Sequence, residues 1–144
     1  PWADEALGLP SYETAGAAGA DIRANLKPED RETGFILDRM HRAIVPTGLR
    51  MEIPAGFEVQ IRPRSGLALK HGITLVNTPG IIDSGYRGEL KVVMINTDPE
   101  HDYEVKRGDR VAQLIISRYD NVTWTEVTEL SGFDRGGGFG HSGR

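Results

Sequence analysis

Short polar segments between apolar runs carry the residue types that could do chemistry. In the segment 62–68, Arg64 and Ser65 precede Gly66 at the start of a predicted helical turn. Free N–H groups at a helix start attract anions, and a planar guanidinium fits phosphate oxygens. This segment therefore predicts contacts to phosphate, although Ser65 could equally be the N-cap of an ordinary helix.

Two isolated carboxylates could hold a cation or activate water. Asp21 lies among small residues in the segment 18–22, and Asp83 lies in a glycine-bounded loop, 80–88, which also carries Tyr86. Magnesium bound to phosphates usually takes only one or two carboxylates, often through water. Each aspartate taken alone is more typical of a turn, where its side chain bonds the backbone. Tyr86 taken alone is more typical of a half-buried aromatic residue at the end of a strand.

Two further segments carry polar and aromatic side chains. The segment 108–114 leads into a strand and contains Gln113. The glycine-rich segment 135–143 contains four side chains that could contact a ligand: Arg135, Phe139, His141 and Ser142. Glycine-rich surroundings cannot bury an aromatic ring, which favours a functional role for Phe139, whereas Gln113 alone is more typical of a hydrogen-bonded structural residue. Together the five segments predict a site for nucleotide phosphates, but they leave the base and the reaction open.

Size and composition limit the classes of function. The 144 residues fit one domain with a buried core. Acidic residues (21) outnumber Lys and Arg (17), and the net charge of −4 argues against nucleic acid or an anionic membrane as a partner. The absence of cysteine excludes disulfides, thiolate catalysis and Cys-ligated zinc, and it is compatible with a cytoplasmic location. No apolar run approaches the ~20 residues of a membrane span.

The elements that must position these segments are short strands joined by turns. Leu49–Ile53 and Phe57–Ile61 alternate apolar and polar residues around 54–56, which predicts a hairpin. Runs rich in β-branched residues predict four more strands: Ile73–Val76, Leu90–Ile95, Val111–Ile116 and Val122–Val127. A helix of about two turns is predicted at Ser65–His71, and a loop or an excursion on the surface at Pro28–Met40.

The whole chain, 1–144, is expected to be a single domain, because no linker or repeat interrupts it. The glycine-rich residues 131–144 are expected to form a mobile C-terminal arm. Many short strands with turns between them predict an antiparallel sandwich or jelly roll.

The five segments, in this order, resemble the motifs of the trimeric dUTPase family. The strings Pro-Arg-Ser-Gly-Leu-Ala (63–68) and Gly-Ile-Ile-Asp-Ser-Gly-Tyr-Arg-Gly-Glu-Leu (80–90) are highly specific, and the approach at 9–19 is also typical. The resemblance spans roughly Ala18 to Gly143. It implies an all-β fold, a distorted jelly-roll-like barrel of the β-clip type with one short helix. It also implies a homotrimer with active sites at the subunit interfaces.

The resemblance implies a reaction in which dUTP and water give dUMP and pyrophosphate, with Mg²⁺ as cofactor. Such a reaction keeps uracil out of DNA and supplies dUMP for dTMP synthesis. Asp83 would be the catalytic base for the water that attacks the α-phosphorus. Tyr86 would pack under the deoxyribose and exclude a 2′-hydroxyl group. Asn77 and the backbone of Ile81 and Ile82 would contact the uracil edge.

The resemblance also assigns contacts to the phosphates and the metal. Asp21 and Gln113 would hold magnesium, or a phosphate, through water. Lys91 would contact the nucleotide from the strand that follows the third segment. The phosphate chain would be held by three residues of the second segment: Arg64, Ser65 and Gly66.

The fifth segment departs from the family pattern. By resemblance, Arg135 and Ser142 would bind the γ-phosphate, and Phe139 would stack over the uracil. One residue fewer separates Arg135 from Phe139 than is usual in the family, and His141 stands where many members have serine.

Two alternatives remain open at this stage. A dCTP deaminase, or a bifunctional deaminase–dUTPase, shares the fold but needs an acid on the strand after the third segment. Residues 90–95 read Leu-Lys-Val-Val-Met-Ile, without an acid. A nucleotide-sensing or partner-binding protein could keep the fold without catalysis, but the presence of Asp21, Asp83, Gln113 and the residues of the fifth segment argues against it.

Overall fold

Strands dominate the part of the chain that the computed structural model describes, residues 3–134 and 136. Two short 3-10 turns lie at Glu5–Leu7 and Pro28–Asp30. The nine strands and the one α-helix of this part are, in chain order, β1 (Ala20–Arg23), β2 (Phe35–Leu37), β3 (Arg42–Pro46), β4 (Phe57–Arg62), α1 (Ser65–His71), β5 (Ile73–Leu75), β6 (Gly80–Ile82), β7 (Lys91–Asn96), β8 (Tyr103–Val105) and β9 (Arg110–Arg118). The predicted all-β class with one short helix is confirmed.

The strands pair antiparallel in three sheets. A four-stranded sheet has the order β1-β9-β4-β6, a three-stranded sheet the order β3-β7-β5, and β2 pairs with β8. In the described residues these sheets are not closed into the expected barrel by hydrogen bonds. The three sheets enclose one core together.

One hydrophobic cluster receives side chains from all three sheets. Burying each such aliphatic side chain stabilises the fold by about 1.5–3 kcal/mol relative to exposure. The fully or nearly fully buried members include Ile22, Val45, Val59, Ile61, Ile73, Leu90, Val92, Met94, Val105, Val111 and Leu114. The cluster fixes which face of each strand points inward and therefore which face is free to carry polar site residues.

Helix α1 has the predicted bounds. It ends where Gly72 takes a left-handed conformation at φ 63°, and the N–H of Gly72 donates to the carbonyl of Ala68. A left-handed residue at this point favours glycine, since a Cβ there is strained.

None of the helices in the described residues has the length and apolarity that a membrane crossing requires.

The strand predictions at Ile73–Val76, Leu90–Ile95 and Val111–Ile116 are confirmed to within a few residues by β5, β7 and β9. The predicted hairpin is wrong. Phe57–Ile61 lies in β4, but β4 pairs with β6 and β9. Leu49–Ile53 is not a strand, and the carbonyl of Leu49 accepts a hydrogen bond from the N–H of Leu90 instead. Alternation detects a half-buried extended segment, but it does not identify the partner strand.

Two further predictions need correction. Val122–Val127 forms no strand, and residues 121–134 are exposed throughout. An isolated extended segment without a neighbouring edge has nowhere to place its backbone hydrogen bonds. The surface loop predicted at Pro28–Met40 is interrupted by a 3-10 turn and by β2, which pairs with β8.

Candidate active site

The first part of the site lies at one end of the four-stranded sheet. Asp21 on β1 is the register partner of Gln113 on β9, and Gln113 is the register partner of Arg62 on β4. Side chains of direct cross-strand partners lie on the same face of a sheet. The sheet therefore brings together residues that are separated by up to 92 positions in the sequence.

Asp21 is a buried carboxylate between cations. Only 4% of the residue is exposed. Its Oδ1 lies 3.2 Å from Nε of Arg64, and its Oδ2 lies 3.3 Å from a terminal guanidinium nitrogen of Arg110. Nε2 of Gln113 donates to Oδ1 over 3.4 Å. Two guanidinium groups offset the cost of burying this charge. The interpretation of Asp21 as a turn residue is wrong, because it belongs to a strand.

Arg64 has one N–H that the described residues do not satisfy. Nε is buried and close to Asp21, yet it lacks hydrogen-bond geometry to any acceptor there. The same side chain donates through a terminal nitrogen to the carbonyl of Arg110 at 3.1 Å, which fixes the guanidinium plane. A buried N–H without an acceptor is uncommon and calls for a ligand or water. An anionic oxygen would satisfy it.

The start of helix α1 presents the second segment to solvent. Arg64 is the N-cap, with extended backbone and no side-chain capping bond, and Ser65 is the first helical residue. Ser65 is therefore not the cap, and its hydroxyl group forms no capping bond. Ser65 and Gly66 are both exposed, and no described atom lies within 4 Å of a Cβ built on Gly66. The phosphate contacts predicted for these two residues are sterically open.

Gly19 explains why Gln113 can lie against the first segment. A Cβ at Gly19 would meet Oε1 of Gln113 at 3.1 Å and its Cβ at 3.2 Å. These distances are tighter than ordinary van der Waals contacts, so a larger residue would displace the amide. The small residues around Asp21 thus serve close packing on β9.

Two residues of the first part of the site were not predicted from the sequence. Arg110 pairs with Asp21, and it also forms an ion pair with Oε2 of Glu13 at 3.0 Å. Arg110 lies inside the fourth segment, three residues before Gln113. Glu13 lies in the approach to the first segment. No local spacing links positions 97 residues apart, so only the β1–β9 pairing reveals the contact.

The second part of the site surrounds strand β6. Asp83 follows β6 directly, its residue is exposed, and its carboxylate forms no hydrogen bond or ion pair with the described residues. The side chains of Asn77 and Ile81 are exposed and that of Ile82 is half-buried. Gly80 approaches Asn77 so closely that a Cβ would lie 3.1 Å from Nδ2 of the amide.

Tyr86 is fixed by its own loop. Its N–H donates to the carbonyl of Asp83 at 3.0 Å, and its hydroxyl donates to the carbonyl of Glu89 at 2.8 Å. The ring occupies the space that a Cβ at Gly88 would need. Tyr86 is 43% exposed, so part of the residue is accessible to a ligand. Lys91 lies near by on β7, where its Nζ is 3.9 Å from Oε2 of Glu89.

The two parts are not adjacent within one chain. Gly80 pairs with Ile61 in an antiparallel arrangement. Arg64 lies three residues beyond Ile61, and Asp83 lies three residues beyond Gly80 in the opposite direction. At about 3.3 Å per extended residue, the two groups are roughly 20 Å apart along the sheet.

The first part suits a magnesium ion that is held mainly by phosphates and water. No group of three or more His, Cys, Asp or Glu side chains in the described residues could form a metal site. The donors at hand are the carboxylate of Asp21 and the amide of Gln113, both of which offer the oxygen atoms that magnesium prefers. One carboxylate is enough where substrate phosphates supply the other ligands.

Three predicted site residues, Arg135, Phe139 and Ser142, lie outside the described residues, as does His141.

A comparison with models of known protein families shows which family the chain belongs to. The family model described as dUTPase matches residues 6–143. The chain belongs to the dUTPase family. The family predicted from the five segments is therefore confirmed.

Among curated dUTPase relatives, the chain is 56% identical over 145 residues to the deoxyuridine 5'-triphosphate nucleotidohydrolase of Dinoroseobacter shibae, with 100% of this chain and 93% of that protein covered. It is 54% identical over 142 residues to the protein of the same name from Roseobacter denitrificans, with 98% and 90% covered. The alignments leave no large part of either relative unmatched.

Solved dUTPases have the same fold. The dUTPase from phage phi11 of S. aureus matches with a TM-score of 0.78 and 22% identity, over 92% of this chain and 97% of that one. A mutant dUTPase of Staphylococcus bacteriophage 80alpha with dUpNHpp matches with a TM-score of 0.82 and 22% identity, over 99% and 96%. At these identities the likeness concerns the fold alone, and it agrees with the predicted dUTPase-like architecture.

Proposed function

We propose that the chain hydrolyses dUTP to dUMP and pyrophosphate by attack of water on the α-phosphate. The observation that carries this proposal is the buried N–H of Arg64, which has no acceptor in the described residues and lies beside Asp21 at an open helix start. Family membership supports the choice of substrate, and so does the dUpNHpp of the phage 80alpha relative. The reaction removes dUTP, so uracil stays out of DNA, and it supplies dUMP for dTMP synthesis.

The catalytic unit we propose is a homotrimer with its active sites between subunits. Arg64 and Asp83 are too far apart in one chain to act on a single triphosphate, so a second chain must supply one of them. Apolar side chains after β9 also lack cover in the described part of their own chain: Val122, Trp124, Val127, Leu130 and Phe133 are 57–94% exposed. Exposed apolar series of this kind mark protein–protein contacts.

Asp83 is the proposed general base. Its carboxylate has no partner among the described residues, so both oxygens are free to accept a proton from water. In this arrangement one oxygen takes a water proton as the water oxygen attacks the α-phosphorus, and pyrophosphate leaves on the opposite side. Arg64, Ser65 and Gly66 hold the phosphate chain so that the attack is in line.

Magnesium, when bound, neutralises phosphate charge and orients the triphosphate. Asp21 and Gln113 would hold it through water, and their own hydrogen bond keeps both groups in place. We further propose that residues 131–144 act as an arm of this single domain, with Arg135 and Ser142 binding the γ-phosphate and Phe139 stacking over the uracil.

Nucleoside selection is assigned to the second part of the site. Tyr86 offers an open ring face to the deoxyribose, and that ring is held by Glu89 and packed on Gly88. A 2′-hydroxyl on the sugar would have to enter space that the ring fills. Asn77 and the backbone of Ile81 and Ile82 contact the uracil edge, and Lys91 lies at the nucleotide from β7.

Gly88→Ala is expected to displace Tyr86 and to reduce kcat/KM for dUTP by about tenfold, because misplacement of a contact by a fraction of an ångström is costly. The ratio of kcat/KM for dUTP to that for UTP should fall as well, since the added Cβ removes the ring from the sugar. Gly85→Ala is the matched control, because nothing lies within 4 Å of its Cβ. Equal kinetics in the two variants would contradict this role of Tyr86.

Pyrophosphate release from dUTP, dTTP, dCTP and UTP, each with magnesium, tests the proposed function. Release from dUTP alone is expected. Ammonia from dCTP would instead indicate a deaminase. Binding of dUTP without release of pyrophosphate would indicate a nucleotide sensor and would overturn the proposal.

A further inference from the structure

Arg110 is shared by two carboxylates. The same guanidinium nitrogen lies 3.3 Å from Oδ2 of Asp21 and 3.0 Å from Oε2 of Glu13. With Arg64 on the other side of Asp21, two cations face two anions. Glu13 is the outer member of this group, since its side chain is 46% exposed against 3% for Asp21.

Glu13 is held in this position by Ser11 and the first strand. Ser11 and Asp21 exchange two backbone hydrogen bonds, of 2.8 and 3.3 Å. The hydroxyl of Ser11 then donates to Oε1 of Glu13 at 3.1 Å, which leaves Oε2 directed at Arg110. Each carboxylate oxygen of Glu13 thus has a separate partner.

We propose that Glu13 is a positioning residue for the phosphate and metal site, and that it acts through Arg110. An arginine has five N–H donors in a planar fork and prefers to bind a carboxylate through two of them. Glu13 draws Arg110 outward, so that Arg110 meets Asp21 through a single nitrogen. Asp21 therefore keeps acceptor capacity for the waters of a divalent cation. This inference rests on the proposed function, because it concerns the same site.

Loss of the charge of Glu13 should affect the binding of cations and of anions differently. Without Glu13 the group of four loses one negative charge, and Arg110 is free to turn fully toward Asp21. A cation should then bind less tightly. A metal-free triphosphate, which is an anion, should bind as tightly as before or more tightly. A simple loosening of the segment around Ser11 would weaken both.

Glu13→Gln is the test, because it keeps the length of the side chain and removes its charge. We expect the affinity for Mn²⁺ in the presence of dUpNHpp, measured by electron paramagnetic resonance of free Mn²⁺, to fall about fivefold, the scale of a half-exposed ion pair. The affinity for dUpNHpp in EDTA, measured by calorimetry, should not fall. Glu52→Gln is the matched control, because Glu52 is also an exposed glutamate. Glu52 lies before the start of β4, whereas Arg64 follows the end of β4. The substitution should change neither the Mn²⁺ affinity nor the dUpNHpp affinity.

Unchanged Mn²⁺ affinity in Glu13→Gln, or a loss in both affinities, would overturn the inference. A double-mutant cycle with Arg110→Gln tests whether Glu13 acts through Arg110. In the Arg110→Gln background, Glu13→Gln should have little further effect on Mn²⁺ affinity. An equal effect in both backgrounds would overturn the route through Arg110. If the unaltered protein bound neither dUpNHpp nor Mn²⁺, the proposed function would fail and this inference with it, so the two failures are distinguishable.

Discussion

Replacing Asp83 by asparagine is expected to lower turnover of dUTP by about 10²–10⁴-fold, the usual contribution of a general base. Asparagine keeps the shape of the side chain but cannot take a proton from water. The carboxylate has no partner in the described residues, so the fold loses nothing that depends on it. The measurement is single-turnover release of pyrophosphate, with the Kd of dUpNHpp determined in parallel.

Binding of dUpNHpp should persist in Asp83→Asn, since in the proposed mechanism Arg64 and its neighbours hold the phosphates. Asp38→Asn serves as the matched control, because it makes the same change at another exposed aspartate. Its turnover should be normal. Normal turnover in Asp83→Asn would show that another group activates the water, and the proposed mechanism would then be wrong.

Mixing two inactive variants is expected to restore activity. Arg64→Gln disables the first part of the site and Asp83→Asn the second, so each variant alone should be nearly inactive. In trimers assembled at random from equal amounts of both, an ordered pair of neighbours combines an intact Arg64 with an intact Asp83 in about a quarter of the sites. Activity should therefore recover to about a quarter of the normal value after the chains are unfolded and refolded together.

Separately refolded variants, combined only after assembly, provide the control and should stay inactive. Sedimentation must show a trimer for each variant, because Arg64 lies against a buried carboxylate and its loss could disturb the fold. The absence of any recovery in mixed trimers would place both parts of the site within one chain. It would contradict the intersubunit arrangement while leaving the role of Asp83 intact.

Local patterns predicted the parts of the fold that depend on neighbouring residues. The bounds of α1 follow from a short run of helix formers that stops at Gly72, and β7 follows from a run of β-branched residues. The hairpin at Pro54–Gly56 failed for a different reason. The alternating apolar residues of both arms do belong to the core or pack against it, but the pairing of β4 with β6 and β9 depends on contacts that are distant in the sequence.

In the candidate site, too, local segments were predictable from the sequence and long-range contacts were not. The segments that carry Asp21, Arg64 and Gln113 were found from residue types and order, and the β1-β9-β4 part of the sheet brings these residues together. Glu13 was not found, because its partner Arg110 lies on a strand 97 residues further on and neither residue has a diagnostic neighbour. Strand register, which a single sequence does not reveal, is what made this contact visible.

The direction of β6 has a consequence for the symmetry of the assembly. In the proposed assembly each chain contributes two different halves of an active site from distant positions, so one surface of a subunit would meet a different surface of the next. Such a contact is heterologous, and it repeats until it closes into a ring or grows into a filament. A filament would leave an unmatched half at each end, whereas a closed ring uses every half once and gives as many active sites as chains.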